Sequence, residues 1–581
     1  MDKKYLILFA AAAWLAPVAG HSQENKNKIP SEVVSVEKDY NPDVKAGKKV
    51  NFTPDETPET GTKLPVSYKS EADAPVFDLA AQPVSALVMD TRSASAQYSN
   101  YLKAGIGYNL STMAEGYYSL TAGKSTFSAG LNHDRAERDI SFFKDNSAFS
   151  HTDASVSFKY AMARYDLGAY AKYAYHSFTN NGTRLADPAL TNLPLKFRHN
   201  GITGGVFLRS NAGRRAFDHL NVEVAYMNGA LGTNDTYVKA TTGFYFPVKK
   251  VTFSLDVAAA YYDNKSVGLL GNPAKVLFGH KTTTTFGHFM VTPAVSYKND
   301  RLDVYAGLRM ELLTGNRISA DGSDGSRFHI MPEIKAAYSI IDGLMSVYAR
   351  LESGYQVQNM SSLLHENPWL SPTTGAFYSH DKFKAQAGLS GVFSSAVRYD
   401  LSFSYGQTNN APAWVMTQQV LDDKPLSYYS AWKDDIGLFT LRASVDYTIN
   451  PSHRVAAFGE YLNHSSDAFT SALYLPDFRL GASYRGSVAG DRIDLYGRIA
   501  YNGSATGLVR VSSVGFDNTL DEFRYENVGG FVEYQANATY NFAPRWGVFV
   551  EVNNTIDGRA FKYYGYDWCG VRALVGVKFN F

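Results

Sequence analysis

The chain has 581 residues, with 40 Tyr, 35 Phe and 47 Gly, and its charges nearly cancel at 56 Lys plus Arg against 55 Asp plus Glu. That balance leaves no electrostatic footprint for nucleic acid or for a strongly anionic partner. The single cysteine, Cys569, excludes an intramolecular disulfide, and no Cys/His group has zinc-like spacing.

In chain order, Asp2, Lys3 and Lys4 precede an apolar run over 5–15 and a small-residue stretch over 16–20. This arrangement predicts a secretory signal peptide over 1–22, too short to span a bilayer. Cleavage is expected between Ala19 and Gln23, and no cysteine stands there to carry an acyl anchor, so a lipoprotein is not expected. Residues 23–96 hold Pro30, Pro42, Pro54, Pro58, Pro65, Pro75 and Pro83 with many charges and few aromatics. They predict a proline-rich, extended periplasmic segment with little packing.

From 97 onward the pattern changes to alternating runs of about ten to fourteen residues, the length of a tilted membrane strand. Val156, Phe158 and Tyr160 share one parity, as do Leu167, Ala169, Ala171 and Tyr173, with Asp166 and Lys172 on the other. Leu220, Val222, Val224 and Tyr226 alternate with Glu223, and Leu302, Val304, Leu308, Met310 and Leu312 with Asp303, Arg309 and Glu311. Ile330, Ile334 and Tyr338 oppose Glu333 and Lys335; Val347, Ala349 and Leu351 oppose Arg350 and Glu352; Leu441, Val445 and Tyr447 oppose Arg442 and Asp446. The apolar parity of these runs carries no Lys, Arg, Asp or Glu. A charge facing mid-bilayer lipid costs roughly 2–4 kcal/mol and one facing a wet lumen costs little, so this partition predicts lipid outside and water inside. Asp303, Arg309, Glu311, Glu333, Lys335, Arg350 and Glu352 are expected to face the lumen as a hydrated, mutually paired wall. A soluble β-sandwich would also alternate, but with strands nearer five or six residues.

Short connections at 162–164, 211–215, 247–250, 299–300, 341–344, 394–396, 450–452, 486–490 and 543–545 alternate with long ones at about 178–199, 264–281, 313–326, 357–379, 410–435, 503–527 and 555–569. The fold class is therefore all-β: a transmembrane antiparallel β-barrel of about 22 strands over 97–581, porin-like in its wall, with short periplasmic turns and long extracellular loops. The stretch 409–433, containing Ala413, Trp414, Val415 and Met416, has room for an extra hairpin, which sets an error of about two on the tally. Tyr160, Tyr297, Tyr338, Tyr447, Tyr484 and Tyr540 each stand just before a short turn, where an interfacial aromatic girdle belongs. The chain closes on an alternating run with Val571, Ala573, Val575, Val577, Phe579 and Phe581 on one face. Val577, Phe579 and the terminal Phe581 form the kind of signal read by the barrel-assembly machinery, which assigns the protein to the outer membrane of a Gram-negative bacterium.

The run 548–557, then Tyr563, Tyr564, Tyr566, Gly570 and the final strand, resembles the last hairpin of TonB-dependent receptors. The run Asn367, Pro368, Trp369, Leu370, Ser371, Pro372 is similar to the segment that enters a mid-barrel strand in the same family. The resemblance implies uptake or transport of a solute across the outer membrane. It also implies a TonB box, for which Glu32, Val33, Val34, Ser35 and Val36 are the matching residues. The departure from the family lies in 23–96, shorter than a complete plug domain. Something else is then expected to fill a barrel of this width: inward-folded loops, the 23–96 segment, or a separate plug protein. Expected partners are outer-membrane lipid, the assembly machinery, and TonB or a separate plug or surface protein. The alternative function is that of a membrane-embedded component of a multi-protein outer-membrane assembly.

No Gly-x-Ser-x-Gly, P-loop or His-Glu-x-x-His motif occurs, and His133, His176 and His329 are scattered, so no enzyme is expected. Asp321, Gly322, Ser323, Asp324 and Gly325 lack the further oxygen ligands of a calcium loop and read as a turn. No catalytic residue, metal ligand or cofactor is assigned.

Overall fold

The computed structural model describes residues 100–136, 148–180, 195–211, 216–229, 232–272, 275–316, 324–421, 424–514, 519–553, 563–564 and 572–581. The expected signal peptide 1–22, the segment 23–96 with Glu32, Val33, Val34, Ser35 and Val36, and Asp321, Gly322, Ser323 and Cys569 lie outside the described residues.

The strands in chain order are β1 Tyr101–Gly107, β2 Ser111–Ala122, β3 Ser125–Ala136, β4 Phe149–Ala161, β5 Tyr165–Asn180, β6 Leu195–Ser210, β7 Phe217–Asn228, β8 Asn234–Val248, β9 Val251–Asn272, β10 Lys275–Lys298, β11 Leu302–Gly315 and β12 Gly325–Ile341. They continue as β13 Met345–Gln358, β14 Phe377–Ser394, β15 Val397–Leu421, β16 Lys424–Asn450, β17 His453–Ser466, β18 Phe478–Val488, β19 Ile493–Asn502, β20 Ala505–Val514, β21 Thr519–Val528, β22 Phe531–Asn541, β23 Trp546–Asn553 and β24 Arg572–Asn580. One short helix, α1 Met360–Glu366, lies between β13 and β14.

Consecutive strands pair antiparallel from β1 to β19, and β19 then bonds to β22 in the register Ile493↔Tyr540. After β23, β24 returns to β1 through Tyr101↔Asn580, closing a cylinder of 22 strands. Closure leaves no wall edge, so backbone groups that meet lipid are bonded to a neighbouring strand. The hairpin β20–β21 is excluded from the wall and instead runs beside the outer part of β15, with β20 parallel to it at Val415↔Leu508.

Period-two alternation decides what each wall residue meets. Val156, Phe158, Tyr160, Leu220, Val224, Tyr226, Leu308, Leu312, Ile330, Ile334, Leu441, Val445 and Tyr447 all stand exposed on the outside of the cylinder. A continuous apolar exterior of this extent is incompatible with water and suits acyl chains. On the same strands the opposite parity is polar and bonded: Glu223 accepts from Tyr170 (2.5 Å) and Tyr237 (2.7 Å), and Arg442 pairs with Glu460 at 2.5 Å. Tyr160, Tyr338, Tyr447 and Tyr540 are exposed at the short-turn rim. Tyr484 meets His453 Nδ1 at 2.7 Å, and Tyr297 accepts from Asn299 at 3.1 Å. At the same rim Phe579 packs on Trp546 (4.4 Å between ring centres) and on Phe581 (5.4 Å). The Phe581 N–H donates to the Asn100 carbonyl at 2.9 Å.

Three long connections expected at 264–281, 410–435 and 503–527 are largely strand instead, the last as the hairpin β20–β21. β9 and β10 are 22 and 24 residues long, and β15 and β16 are 25 and 27. A tilted crossing needs only about 9–11 residues, so these hairpins continue well beyond the membrane. The 409–433 stretch adds no wall pair; it is the outward continuation of β15 and β16. The strands persist there because each hairpin satisfies its own ladder without a lipid-facing neighbour.

Leu441→Arg, on the lipid side, is expected to destabilise the folded barrel by about 2–4 kcal/mol. Asn132→Lys, in the lumen opposite Glu115 and Asp153, is expected to stay within about 0.5 kcal/mol of the native protein. Urea unfolding in detergent micelles followed by tryptophan fluorescence measures both.

Candidate functional site: a capped lumen

The outer end of the barrel carries a compact cap built from pieces far apart in sequence. It begins at a bulge in β15, where the pairing with β16 shifts between Thr408 and Ala411 and Asn410 takes a left-handed φ of 51°. Asparagine tolerates that conformation better than other side chains. The Asn410 N–H donates to Asp435 Oδ1 at 2.8 Å, and buried Asp434 accepts from Ser466 Oγ (2.7 Å) and Ala468 N–H (3.1 Å). These bonds fasten the point at which the hairpin leaves the wall. β14 stops pairing with β15 at Asn409, so the ladder above is free to lean over the mouth.

Helix α1 packs beneath it. Asn359 caps its N-terminus by accepting the Ser362 N–H at 3.0 Å, and the Ser361 N–H donates to Asp235 Oδ2 on β8 at 3.2 Å. The helix ends before Asn367, whose extended backbone suits the residue preceding Pro368. The strap that follows is buried at Asn367, Trp369, Leu370 and Ser371. It is tied to β16 by Ser371 N–H to the Tyr429 carbonyl (2.6 Å) and Tyr429 N–H to the Trp369 carbonyl (2.9 Å). The run read in sequence as a strand entry therefore first crosses the cap, and β14 starts only at Phe377.

Met360, Leu363, Trp369, Trp414, Val415, Met416, Tyr429, Tyr474, Leu508, Val509 and Tyr563 form one apolar core. Tyr563 is its hub, with ring centres 5.1 Å from Tyr429, 5.2 Å from Tyr474, 6.1 Å from Trp414 and 6.2 Å from Trp369. Two polar groups inside are matched: Trp414 Nε1 donates to Glu366 Oε1 at 2.9 Å, and the Tyr429 hydroxyl donates to the Tyr564 carbonyl at 2.5 Å. Burial of Tyr474, in the loop after β17, pushes its phenol well above the ordinary range.

Below the cap lies a lumen cavity of about 2060 Å³, reaching from Ser361, Leu364 and His365 to Ala396, Pro451 and Ser487 at the periplasmic turns. Its lining mixes signs, with Lys103, Lys172, Arg398 and Arg498 beside Glu115, Asp235, Asp494 and Glu533. Lys103 pairs with Glu551 at 3.2 Å, and Arg572 of the final strand pairs with Asp134. The charges singled out from sequence line a different stretch of wall, β11–β13. Arg309 meets fully buried Glu311 at 2.7 Å, and Glu311 also accepts the Tyr355 N–H at 2.7 Å. Lys335 bridges Glu333 (2.8 Å) and Glu352 (3.3 Å), Arg350 lies over the Tyr348 ring, and Asp303 pairs with Lys298 at 2.7 Å.

The register also brings together histidines that look scattered in sequence. His151, His176 and His199 are direct cross-strand neighbours on β4, β5 and β6, and the first two rings are 4.8 Å apart. His329 and His380 meet at 4.5 Å. Strand pairing is the signal that would have found them. Among the described residues no three His, Cys, Asp or Glu side chains are grouped to hold a metal ion. His329 Nε2 lies 2.8 Å from Ser353 Oγ, but buried Ser353 donates its proton to the Asp381 carbonyl at 2.7 Å. The hydroxyl therefore accepts from the imidazole instead of being activated by it.

No protein-family model matches the chain, and no curated protein matches its sequence. Solved barrels do match. The FrpB iron transporter from Neisseria meningitidis (F3-3 variant) has a TM-score of 0.59 at 12% identity, over 83% of this chain and 81% of that one. The ferric yersiniabactin uptake receptor FyuA from Yersinia pestis has 0.57 at 13% identity, over 83% and 80%. The ferric-catecholate import receptor Fiu from Escherichia coli K12 has 0.56 at 11% identity, over 84% and 82%. At such identities the likeness is one of fold: this chain has the closed 22-strand barrel fold of those proteins.

Tyr563→Ala should remove the hub of the cap, with a loss of about 3–5 kcal/mol confined to it. Hydrogen exchange is expected to rise over 411–421 and 505–514 while β2–β7 keep their protection.

Proposed function

We propose that this protein is a non-enzymatic outer-membrane transporter that admits a solute through the barrel lumen, with the loop cap as its outer gate. The observation that carries the reading is the apolar cap seated above a water-accommodating lumen with a mixed-charge wall. A mixed-charge wall hydrates a path without strongly holding either sign of ion. A cap with its own core, knit internally by the β15–β20 ladder and tied to the wall at few points, the bulge at Asn410 and the Ser361–Asp235 bond among them, is a separable unit whose displacement need not open the wall.

FyuA is an uptake receptor for ferric yersiniabactin and Fiu an import receptor for ferric catecholates, which favours uptake as the direction of transport. In this reading Val33, Val34 and Val36, with Glu32 and Ser35, add a strand to a sheet edge of TonB, coupling the barrel to the inner membrane.

Replacing 505–528 by a short Gly/Ser linker leaves the β19–β22 ladder intact. Single-channel recording in planar bilayers should give a small or absent conductance for the native protein and a large, steady one for the variant. Native channels as wide open as the variant would rule out the gate. A peptide covering 27–42 is expected to bind the periplasmic domain of TonB in isothermal titration, and no heat of binding would remove that partner.

A further inference from the structure

A second, smaller pocket of about 330 Å³ lies at the outer rim, between β10, the start of β14 and the outward part of β16. Its volume is in the range of small-molecule sites. Thr284, Thr374, Phe377, Ser430, Trp432 and Lys433 supply its chemistry. The walls are held from both sides. The Pro372 carbonyl accepts the Val267 N–H at 3.0 Å, Asn264 Oδ1 accepts the Ala376 N–H at 3.2 Å, and Ser371 and Thr373 share a hydroxyl contact at 2.7 Å. A site held in this way loses little freedom when a ligand enters.

Three of its groups call for a ligand. Lys433 stands at the pocket edge with its ammonium 5.9 Å from the centre of the Phe377 ring, and no carboxylate among the described residues pairs with it. The neighbouring acids are engaged elsewhere, Asp434 with Ser466 and Ala468, and Asp435 with Asn410. Thr374 is buried, and its hydroxyl has no hydrogen-bond partner, a condition that a bound polar group would relieve. Trp432 meets Phe523 edge to face at 5.7 Å, which fixes the indole beside the pocket as a platform for the C–H face of a hydroxylated chain. A single cation with hydroxyl donors and no cluster of backbone N–H groups suits one negative charge, not the two of a phosphate.

We propose that this rim pocket binds a small hydroxylated monocarboxylate from outside the cell, with Lys433 on the carboxylate, Thr374 and Ser430 on hydroxyls and Trp432 against the carbon chain. The inference deepens the transport reading by giving the outer face a substrate class, and binding can be read without passage through the lumen.

The test uses the full-length protein in detergent micelles, with D-gluconate as probe and D-glucose as its uncharged counterpart. Saturable millimolar binding of gluconate is expected by isothermal titration, with a change in tryptophan fluorescence. Glucose and the Lys433→Gln variant with gluconate should each be weaker by about tenfold, the loss of one charge-assisted hydrogen bond. Thr374→Val should weaken gluconate binding by a smaller factor. No saturable binding, equal affinity for glucose and gluconate, or undiminished binding by Lys433→Gln would overturn the proposal. Gluconate binding by the native protein with no conductance in the 505–528 variant would keep the pocket and sink the transporter, and conductance in that variant without gluconate binding by the native protein would do the reverse.

Discussion

Hydrocarbon offers the backbone no hydrogen-bond partner, and that lack governs this molecule. Every peptide group of the wall must find another strand, so the sheet can end only by meeting itself, as β24 does on β1. The same demand explains why β19 bonds directly to β22 and leaves the intervening hairpin outside the cylinder. Once the ladder is closed, each residue has only two destinations. One is lipid, which accepts Val156, Leu308 and Leu441; the other is the lumen, which accepts Glu223, Arg442 and Asp446.

Beyond the bilayer the rule relaxes, and the chain behaves as a soluble protein would. β15 and β16 keep their own ladder, but above Asn409 they no longer need wall neighbours, and apolar side chains can turn inward onto other loops. Trp414, Val415, Met416 and Tyr429 are completely or nearly completely buried as a result. Full burial of such a side chain contributes roughly 1.5–3 kcal/mol, enough in aggregate to order a strap, a helix of two turns and a hairpin that have little core of their own. Apolar sequence in this protein thus serves two media, acyl chains around the cylinder and a protein core at its mouth.

The lumen wall is dominated by mutual pairing. Lys335 pairs with Glu333 on its own strand and Glu352 on the next, Arg309 with Glu311 along β11, and Arg572 of β24 with Asp134 of β3, so charge is neutralised both within strands and between them. Pairing of this kind holds side chains to the wall and leaves a polar surface. Lys433, at the rim and outside that scheme, stands apart from it.

The barrel was legible in the residues because lipid and water sort side chains at every second position, a local rule that needs no knowledge of what lies across the cylinder. Turn spacing, the girdle tyrosines and the closing run through Phe581 carry the same local information, and the tally of about 22 strands agrees with the closed wall. Local patterning could not separate strand that crosses lipid from strand that continues past it, so 264–281 and 410–435 read as loops although β9, β10, β15 and β16 run through them. Nor could it bring His151 beside His176, Tyr563 between Trp414 and Tyr474, or Lys433 over Phe377. The sequence by itself determined the wall and which face of it is wet. Only the tertiary structure decided the cap and the two cavities, because they depend on contacts between segments tens to hundreds of residues apart, and no periodicity along the chain encodes such distances.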